Sequence, residues 1–145
     1  MKELKIYTDG ACSGNPGKGG YCAILIYNGK EKIVSGSELD TTNNRMELLA
    51  VIRGLQTLKV PCSVELFSDS QYVIDAFNKG WITNWQKNDW KTSSKTQVKN
   101  RDLWEELLRL LSVHLVRFVK VKGHSDNEYN NRCDQIAVSE YKKLG

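Results

Sequence analysis

The chain contains no apolar run approaching the ~20 residues needed to cross a bilayer, so no membrane partner is expected. Its first residues, Met1–Leu4, enter an alternating pattern at once and lack the apolar core of a secretory leader, which makes a cytoplasmic location the expectation. Only four cysteines occur (Cys12, Cys22, Cys62, Cys133), none at the short spacings of zinc sites, and only two histidines could supplement them. Four free thiols are therefore expected, as suits a reducing compartment. No repeat, low-complexity segment or linker interrupts the 145 residues, which fit one domain (1–145) able to bury a real core. Acid is locally scarce as well. From Lys79 to Arg101 a single acid, Asp89, stands against six basic residues, a balance of +5. The remaining fifteen basic and sixteen acidic residues leave the rest of the chain at −1. A basic segment on a near-neutral body suggests a docking surface for a polyanion.

The patterns that are present describe a mixed α/β chain. Residues 4–9, 21–27 and 31–38 alternate as strands, with a turn-rich loop over Gly10–Gly20 and a hairpin signal at Asn28-Gly29. Thr41–Asn44 offer caps for a helix running to about Leu58, stopped by Pro61. A fourth strand is predicted over 64–68, followed by a helix capped by Asp69-Ser70 and closed by Gly80. Residues 81–100 are polar, basic and rich in tryptophan. A helix over about 102–111, a strand over 115–121, a polar loop over 123–130 and a last helix complete the order. The fold class expected is α/β: a five-stranded mixed sheet, with an antiparallel hairpin portion continued by parallel strands and flanked by helices.

Four carboxylates fall where chemistry gathers in such a sheet. Asp9 and Asp69 close the first and fourth strands, and functional groups collect beyond the carboxyl ends of parallel strands. Glu47 opens an apolar helical stripe with Val51, Leu55 and Leu58, so it points toward the sheet. Asp134 precedes Ala137, Val138 and Tyr141 on the last helix and is partly inward. Singly, each could serve a turn, a helix N-terminus or a salt bridge. Together they would repel one another unless a cation sat among them. All-oxygen ligands select a hard ion, Mg²⁺ or Mn²⁺, and two such ions about 4 Å apart can straddle a scissile phosphate.

Seven segments in order carry a family resemblance. They are Tyr7-Thr8-Asp9-Gly10, Gly14-Asn15-Pro16-Gly17, Gly19-Gly20-Tyr21, Thr42-Asn43-Asn44-Arg45-Met46-Glu47-Leu48, Ser68-Asp69-Ser70-Gln71-Tyr72, Val121-Lys122-Gly123-His124 and Asn131-Arg132-Cys133-Asp134. The set resembles ribonuclease H type 1, of the bacterial kind with a basic protrusion, over essentially the whole length. The resemblance implies a ribonuclease H-like fold and cleavage of the RNA strand of an RNA–DNA hybrid to 5′-phosphate and 3′-hydroxyl ends. It implies a metal quartet of Asp9, Glu47, Asp69 and Asp134, holding Mg²⁺, two ions with substrate bound, for which Mn²⁺ can substitute. His124 matches a catalytic histidine beside the site that aids turnover. Gly10, Asn15, Asn43, Asn44 and Gln71 match substrate-binding positions, the amides being suited to the 2′-hydroxyl, which both donates and accepts. Thr42 and Asn100 match a pocket for a DNA phosphate. Residues 80–100 match the protrusion, where Trp81, Trp85 and Trp90 interleave with Lys87, Lys91, Lys95 and Lys99. Trp81 and Trp104 are expected as packing, and Tyr72 and Trp85, with Lys87 and Lys91, as nucleic-acid contacts. Ile82-Thr83-Asn84 places uncharged residues where some relatives carry more lysine.

The rival readings are a junction resolvase or integrase of the same fold, a reverse-transcriptase nuclease domain, and a silent hybrid-binding module. The asparagine pair and Gln71 favour 2′-hydroxyl reading over the first, the start at Met1 speaks against the second, and the intact quartet speaks against the third. No obligate protein partner is expected, and the chain is expected to be a monomer.

Overall fold

The structure is a computed structural model that describes residues 1–122 and 127–145. Ten elements follow in order: β1 (Lys2–Cys12), β2 (Gly17–Tyr27), β3 (Lys30–Thr41), α1 (Asn43–Gln56), β4 (Cys62–Ser68), α2 (Gln71–Asn78), α3 (Trp81–Lys87), α4 (Arg101–Val113), β5 (Leu115–Lys120) and α5 (Glu128–Lys142). The sheet runs β3-β2-β1-β4-β5. β1–β2 and β2–β3 are antiparallel, and β1–β4 and β4–β5 are parallel. This is the five-stranded mixed sheet read from the sequence. Asn28 and Gly29 make the β2–β3 turn with φ of +50° and +75°, the left-handed pair that an Asn-Gly hairpin requires.

Two cores lie on opposite faces of the sheet, because successive side chains of a strand alternate. Leu4 and Ile6 of β1 face the larger core, built with α1, α2 and α4 around Leu48, Val51, Leu55, Leu66, Trp104 and Leu107. Tyr7 faces the smaller core, where Cys22 and Ile24 meet Cys133 and Ala137 of α5. All four cysteines are free thiols, three of them buried.

Several boundaries differ from the sequence reading, each for a physical reason. The expected loop over Gly10–Gly20 is mostly strand, with only 13–16 left between β1 and β2. Its glycines serve close packing instead: a Cβ on Gly20 would come 2.0 Å from the Ala137 carbonyl oxygen of α5. β1 therefore runs past Asp9. Its parallel register with β4 ends at Tyr7 and Phe67, while its antiparallel register with β2 continues to Cys12 and Gly19. α1 ends at Gln56 with Thr57 as its cap, short of Pro61, and Glu47 sits in its second turn. α3 was not expected. It is one short amphipathic stretch that buries Ile82 and leaves Trp81 and Trp85 half-buried, too brief for a sustained stripe. Ile82, one of the uncharged residues of the basic segment, thus anchors α3 into the core.

Trp90, for which the sequence leaves stacking and packing open, is a packing residue. It interleaves with lysines in sequence, but its indole is buried in the main core and the Arg101 guanidinium lies 5.5 Å from its ring centre. That ring cannot stack on a base without leaving the core. Trp104 is fully buried and Trp81 packs at the edge of the same core, as packing residues should. No helix among the described residues is long and apolar enough to cross a membrane.

Candidate active site

The helix caps decide what the carboxylates are free to do. Thr42 caps α1 by accepting from the Arg45 N–H, Ser70 caps α2 by accepting from the Val73 N–H, and Asn127 caps α5 by accepting from the Asn130 N–H. Capping is satisfied by neutral side chains. Asp69 and Asp134 are not spent on it, and neither are Asn43 and Asn44. Side-chain capping is therefore not the role of either acid.

Asp9, Glu47 and Asp69 converge, each offering a carboxylate oxygen within 4.8 Å of the others. β1 carries Asp9, α1 carries Glu47 and the β4–α2 junction carries Asp69. The Gly10 N–H holds the first two in place, donating to Asp9 Oδ1 at 2.9 Å and to Glu47 Oε1 at 2.5 Å. This approach is possible only without a side chain, since a Cβ on Gly10 would lie 2.4 Å from the Glu47 backbone nitrogen. Asp134 stands apart from this tight trio but lines the same cavity of about 360 Å³ from α5. Gly10, Asn43, Asn44, Gln71 and Tyr72 line it as well.

The electrostatics of the trio are unfavourable as they stand. Burial, then repulsion by Glu47, and further Asp69 and Asp134, push the Asp9 carboxyl far above the carboxylate range. Burial likewise raises Glu47, against the lowering pull of its hydrogen bonds with Asp9 and the Gly10 N–H. Glu47 Oε2 and Asn130 Oδ1, both from cavity-lining residues, are buried oxygens without a hydrogen-bond partner among the described residues. Clustered acids, raised affinities for protons and orphaned oxygens all ask for a hard cation. Asn130 was missed in the sequence. Its one signal is a position four residues, one helical turn, before Asp134.

The other expected residues fall in three places. Asn15 lies on the 13–16 loop and its Oδ1 accepts from the Asn43 N–H at 3.0 Å, which ties that loop to the start of α1. Thr42 and Asn100 are the N-caps of α1 and α4, whose first turns are clamped together where Arg45 donates twice to Asp102, at 3.2 and 2.9 Å. Trp85 and Lys91 line a separate groove with Trp81, Asn84 and Asn88, while Lys87 is exposed on the same segment. Gln71 is turned toward Asp75, donating to Oδ1 at 2.6 Å. His124 lies outside the described residues.

An α/β sheet with an all-oxygen acidic cluster at the strand ends is the class of site that can hold a hard divalent cation. Comparison with known proteins narrows the class. The ribonuclease H family model, described as RNase H, matches residues 1–142. Ribonuclease H of Acetivibrio thermocellus is 62% identical over 143 residues, 99% of this chain and 97% of that protein. Ribonuclease H of Chlorobaculum parvum is 60% identical over 136 residues, covering 94% and 93%. Among solved structures, LC9-RNase H1, a type 1 RNase H with the type 2 active-site motif, superposes with a TM-score of 0.88 at 26% identity, over 100% of this chain and 74% of that one. LC11-RNase H1, solved in complex with RNA/DNA hybrid, gives 0.65 at 22% identity over 97% and 98%, a likeness of fold. The chain belongs to the ribonuclease H family, as a type 1 member of the bacterial kind, and is a hydrolytic endoribonuclease.

Proposed function

We propose that this chain hydrolyses the RNA strand of RNA–DNA hybrids, leaving 5′-phosphate and 3′-hydroxyl ends, with Mg²⁺ as its metal and two ions engaged when substrate is bound. The convergence of Asp9, Glu47 and Asp69, with a buried Glu47 oxygen left unpartnered among the described residues, carries this reading. Asp134, across the cavity, completes the proposed ligand set. Such ions, when bound, supply an activated water on one side of the scissile phosphate and charge stabilisation for the leaving oxygen on the other. The residues of the chain do the rest. The Gly10 N–H fixes two carboxylates with one donor. Asn43 and Asn44 line the cavity with amides able to meet the donor and the acceptor of a ribose 2′-hydroxyl, and Gln71, whose amide donates to Asp75, keeps its oxygen and one N–H for the same task. Matched RNA–DNA, RNA–RNA and DNA–DNA duplexes incubated with Mg²⁺ test the reading. Only the RNA strand of the hybrid should be cut, and cleavage of either DNA strand or of the RNA duplex would reject it.

The basic segment is proposed as the surface for the rest of the duplex. Lys87, Lys91, Lys95 and Lys99 are all exposed. Replacing the four with alanine should raise KM far more than it lowers kcat, because such groups bind ground and transition states alike. The slope of log affinity against log salt should flatten by roughly 0.7–0.9 for each phosphate no longer neutralised. An unchanged slope would remove the segment from the docking surface.

His124 is proposed as an acid–base group rather than a ligand. His124→Ala should lower kcat by about 10²-fold, within the range of acid–base assistance, with hybrid affinity and metal dependence unchanged. Single-turnover and steady-state rates separate its two possible tasks. A defect in both places it in the chemical step, a defect in steady state alone places it in product release, and no defect removes it from the site.

A further inference from the structure

The cavity wall ends in a hydrogen-bond chain that leads away from the carboxylates. Trp104 of α4 is fully buried, and its one polar atom, Nε1–H, donates to the Tyr72 hydroxyl at 3.0 Å. The same hydroxyl accepts from Asn100 Nδ2 at 3.3 Å. The rings of Tyr72 and Trp104 pack at 5.4 Å and 52°. Tyr72 lines the carboxylate cavity, and Asn100 stands at the start of α4, so one phenol joins the two places.

Asn100 shows that this arrangement is not incidental packing. Asparagine at a helix N-cap ordinarily accepts a hydrogen bond from the first turn of its own helix, which stabilises that helix by about 1 kcal/mol. Asn100 occupies the N-cap of α4 with a left-handed φ of +63° and makes no such bond. Its amide is turned to Tyr72 instead. A phenol oxygen engaged by two fixed N–H donors has its own O–H left to give. Among the described residues no acceptor lies in reach of it. The Asn100 amide keeps its oxygen and one N–H. Two polar groups are thus held in a set orientation, each with a donor to spare.

We infer that Trp104 is a positioning residue for substrate: its buried indole N–H fixes the Tyr72 hydroxyl, which fixes the Asn100 amide, so that both groups meet the nucleic-acid backbone as one preset pair. The inference rests on the hybrid-cleaving reading above. The ligand class is a backbone oxygen acceptor of the hybrid, a phosphate or sugar oxygen, met by neutral donors. The indole itself touches no substrate. Its contribution is orientation, which lowers the entropy lost when the hybrid binds.

The test uses the whole chain and a hybrid that the unaltered protein cleaves, so failure of the function is seen before any variant is compared. Trp104→Phe keeps an aromatic ring and removes the N–H; Tyr72→Phe removes the shared oxygen. Each should raise KM about three- to tenfold, the worth of one hydrogen bond, with kcat within twofold. The double variant should be no worse than the worse single one, because both cut the same chain. Since the donors are neutral, the salt slope should stay unchanged. If Trp104→Phe folds poorly, the cycle of Tyr72→Phe with Asn100→Ala replaces it, and their effects on KM should fail to multiply. Unchanged KM in Tyr72→Phe, or effects that multiply in the cycle used, would overturn the inference while leaving hybrid cleavage intact.

Discussion

Asp9→Asn should abolish cleavage to within about a thousandth of the normal rate or less, while hybrid binding survives or improves. The substitution keeps shape and volume but removes one negative ligand from the trio of Asp9, Glu47 and Asp69. Losing a direct metal ligand costs several kcal/mol of transition-state stabilisation, and each 1.4 kcal/mol is about tenfold. Binding escapes the loss because the phosphates approach a less negative site. Asp69→Asn should behave alike, and near-normal cleavage by either variant would refute the metal assignment. Ca²⁺ should bind yet support little cleavage, since its larger, looser shell misplaces the water. Stability should move in the opposite direction to activity. The Asp9 carboxyl is raised far above its ordinary 3.8, chiefly by burial. In metal-free buffer the unfolded chain therefore ionises first as pH rises, and the folded state loses ground from about pH 4 through neutrality. Asp9→Asn lacks that penalty, so at pH 7 without metal it should be more stable than the unaltered protein by on the order of 1–3 kcal/mol. Urea midpoints from pH 4.5 to pH 8 measure it, and the gap should widen with pH. A gap that narrows, or a variant less stable at pH 7, would show that the trio is not under electrostatic strain.

Gly10→Ala should damage fold and site together. The new Cβ would meet backbone, at 2.4 Å from the Glu47 nitrogen and 2.5 Å from the Met46 carbonyl carbon. Backbone cannot rotate away as a flexible side chain can, so α1 must shift off β1. Overpacking of this kind costs typically ~1–3 kcal/mol, and here the upper part of that range applies. The shift also carries Glu47 away from the Gly10 N–H that it now accepts at 2.5 Å. A displacement near 1 Å in a catalytic group is worth about 10²-fold in rate. Both the unfolding midpoint and kcat should therefore fall, and the metal concentration needed for half-maximal activity should rise. A variant with normal stability and normal activity would mean that the approach of α1 to β1 is looser than the geometry states.

Much of this was legible in the sequence because the signals are local. The Asn28-Gly29 turn, the stripe of Val51 and Leu55 behind Glu47, and the strand over residues 64–68, which begins two residues earlier at Cys62, follow from periods and turn chemistry alone. The inward aim of Glu47 was readable for the same reason. What escaped depends on contacts distant in the chain. Glycines read as turn formers between 10 and 20 are mostly strand, because Gly10 and Gly20 meet helices that begin dozens of residues later. The sequence leaves Trp90 open between stacking and packing; it is buried with Val98 and Leu103, and nothing in its neighbours announces that. The division of labour between Asp69 and Ser70 at the start of α2 was equally hidden. Either could cap, and only the hydrogen bond from the Val73 N–H assigns the task to the serine.

The parallel pairing of β1 with β4 bears on when the enzyme becomes active. Leu4 lies against Val64, so the centre of the sheet closes only after some sixty residues of intervening chain have been gathered in. Closure of so long a loop is entropically slow, and native pairing of distant strands is a late reward in folding. The carboxylates that meet there come from β1, α1 and the end of β4, with Asp134 facing them from α5. They repel one another as they arrive, so their meeting opposes the last step unless a cation is at hand. Partly folded chains accordingly hold the acids apart, and nuclease activity should switch on with completion of the sheet rather than grow with each element.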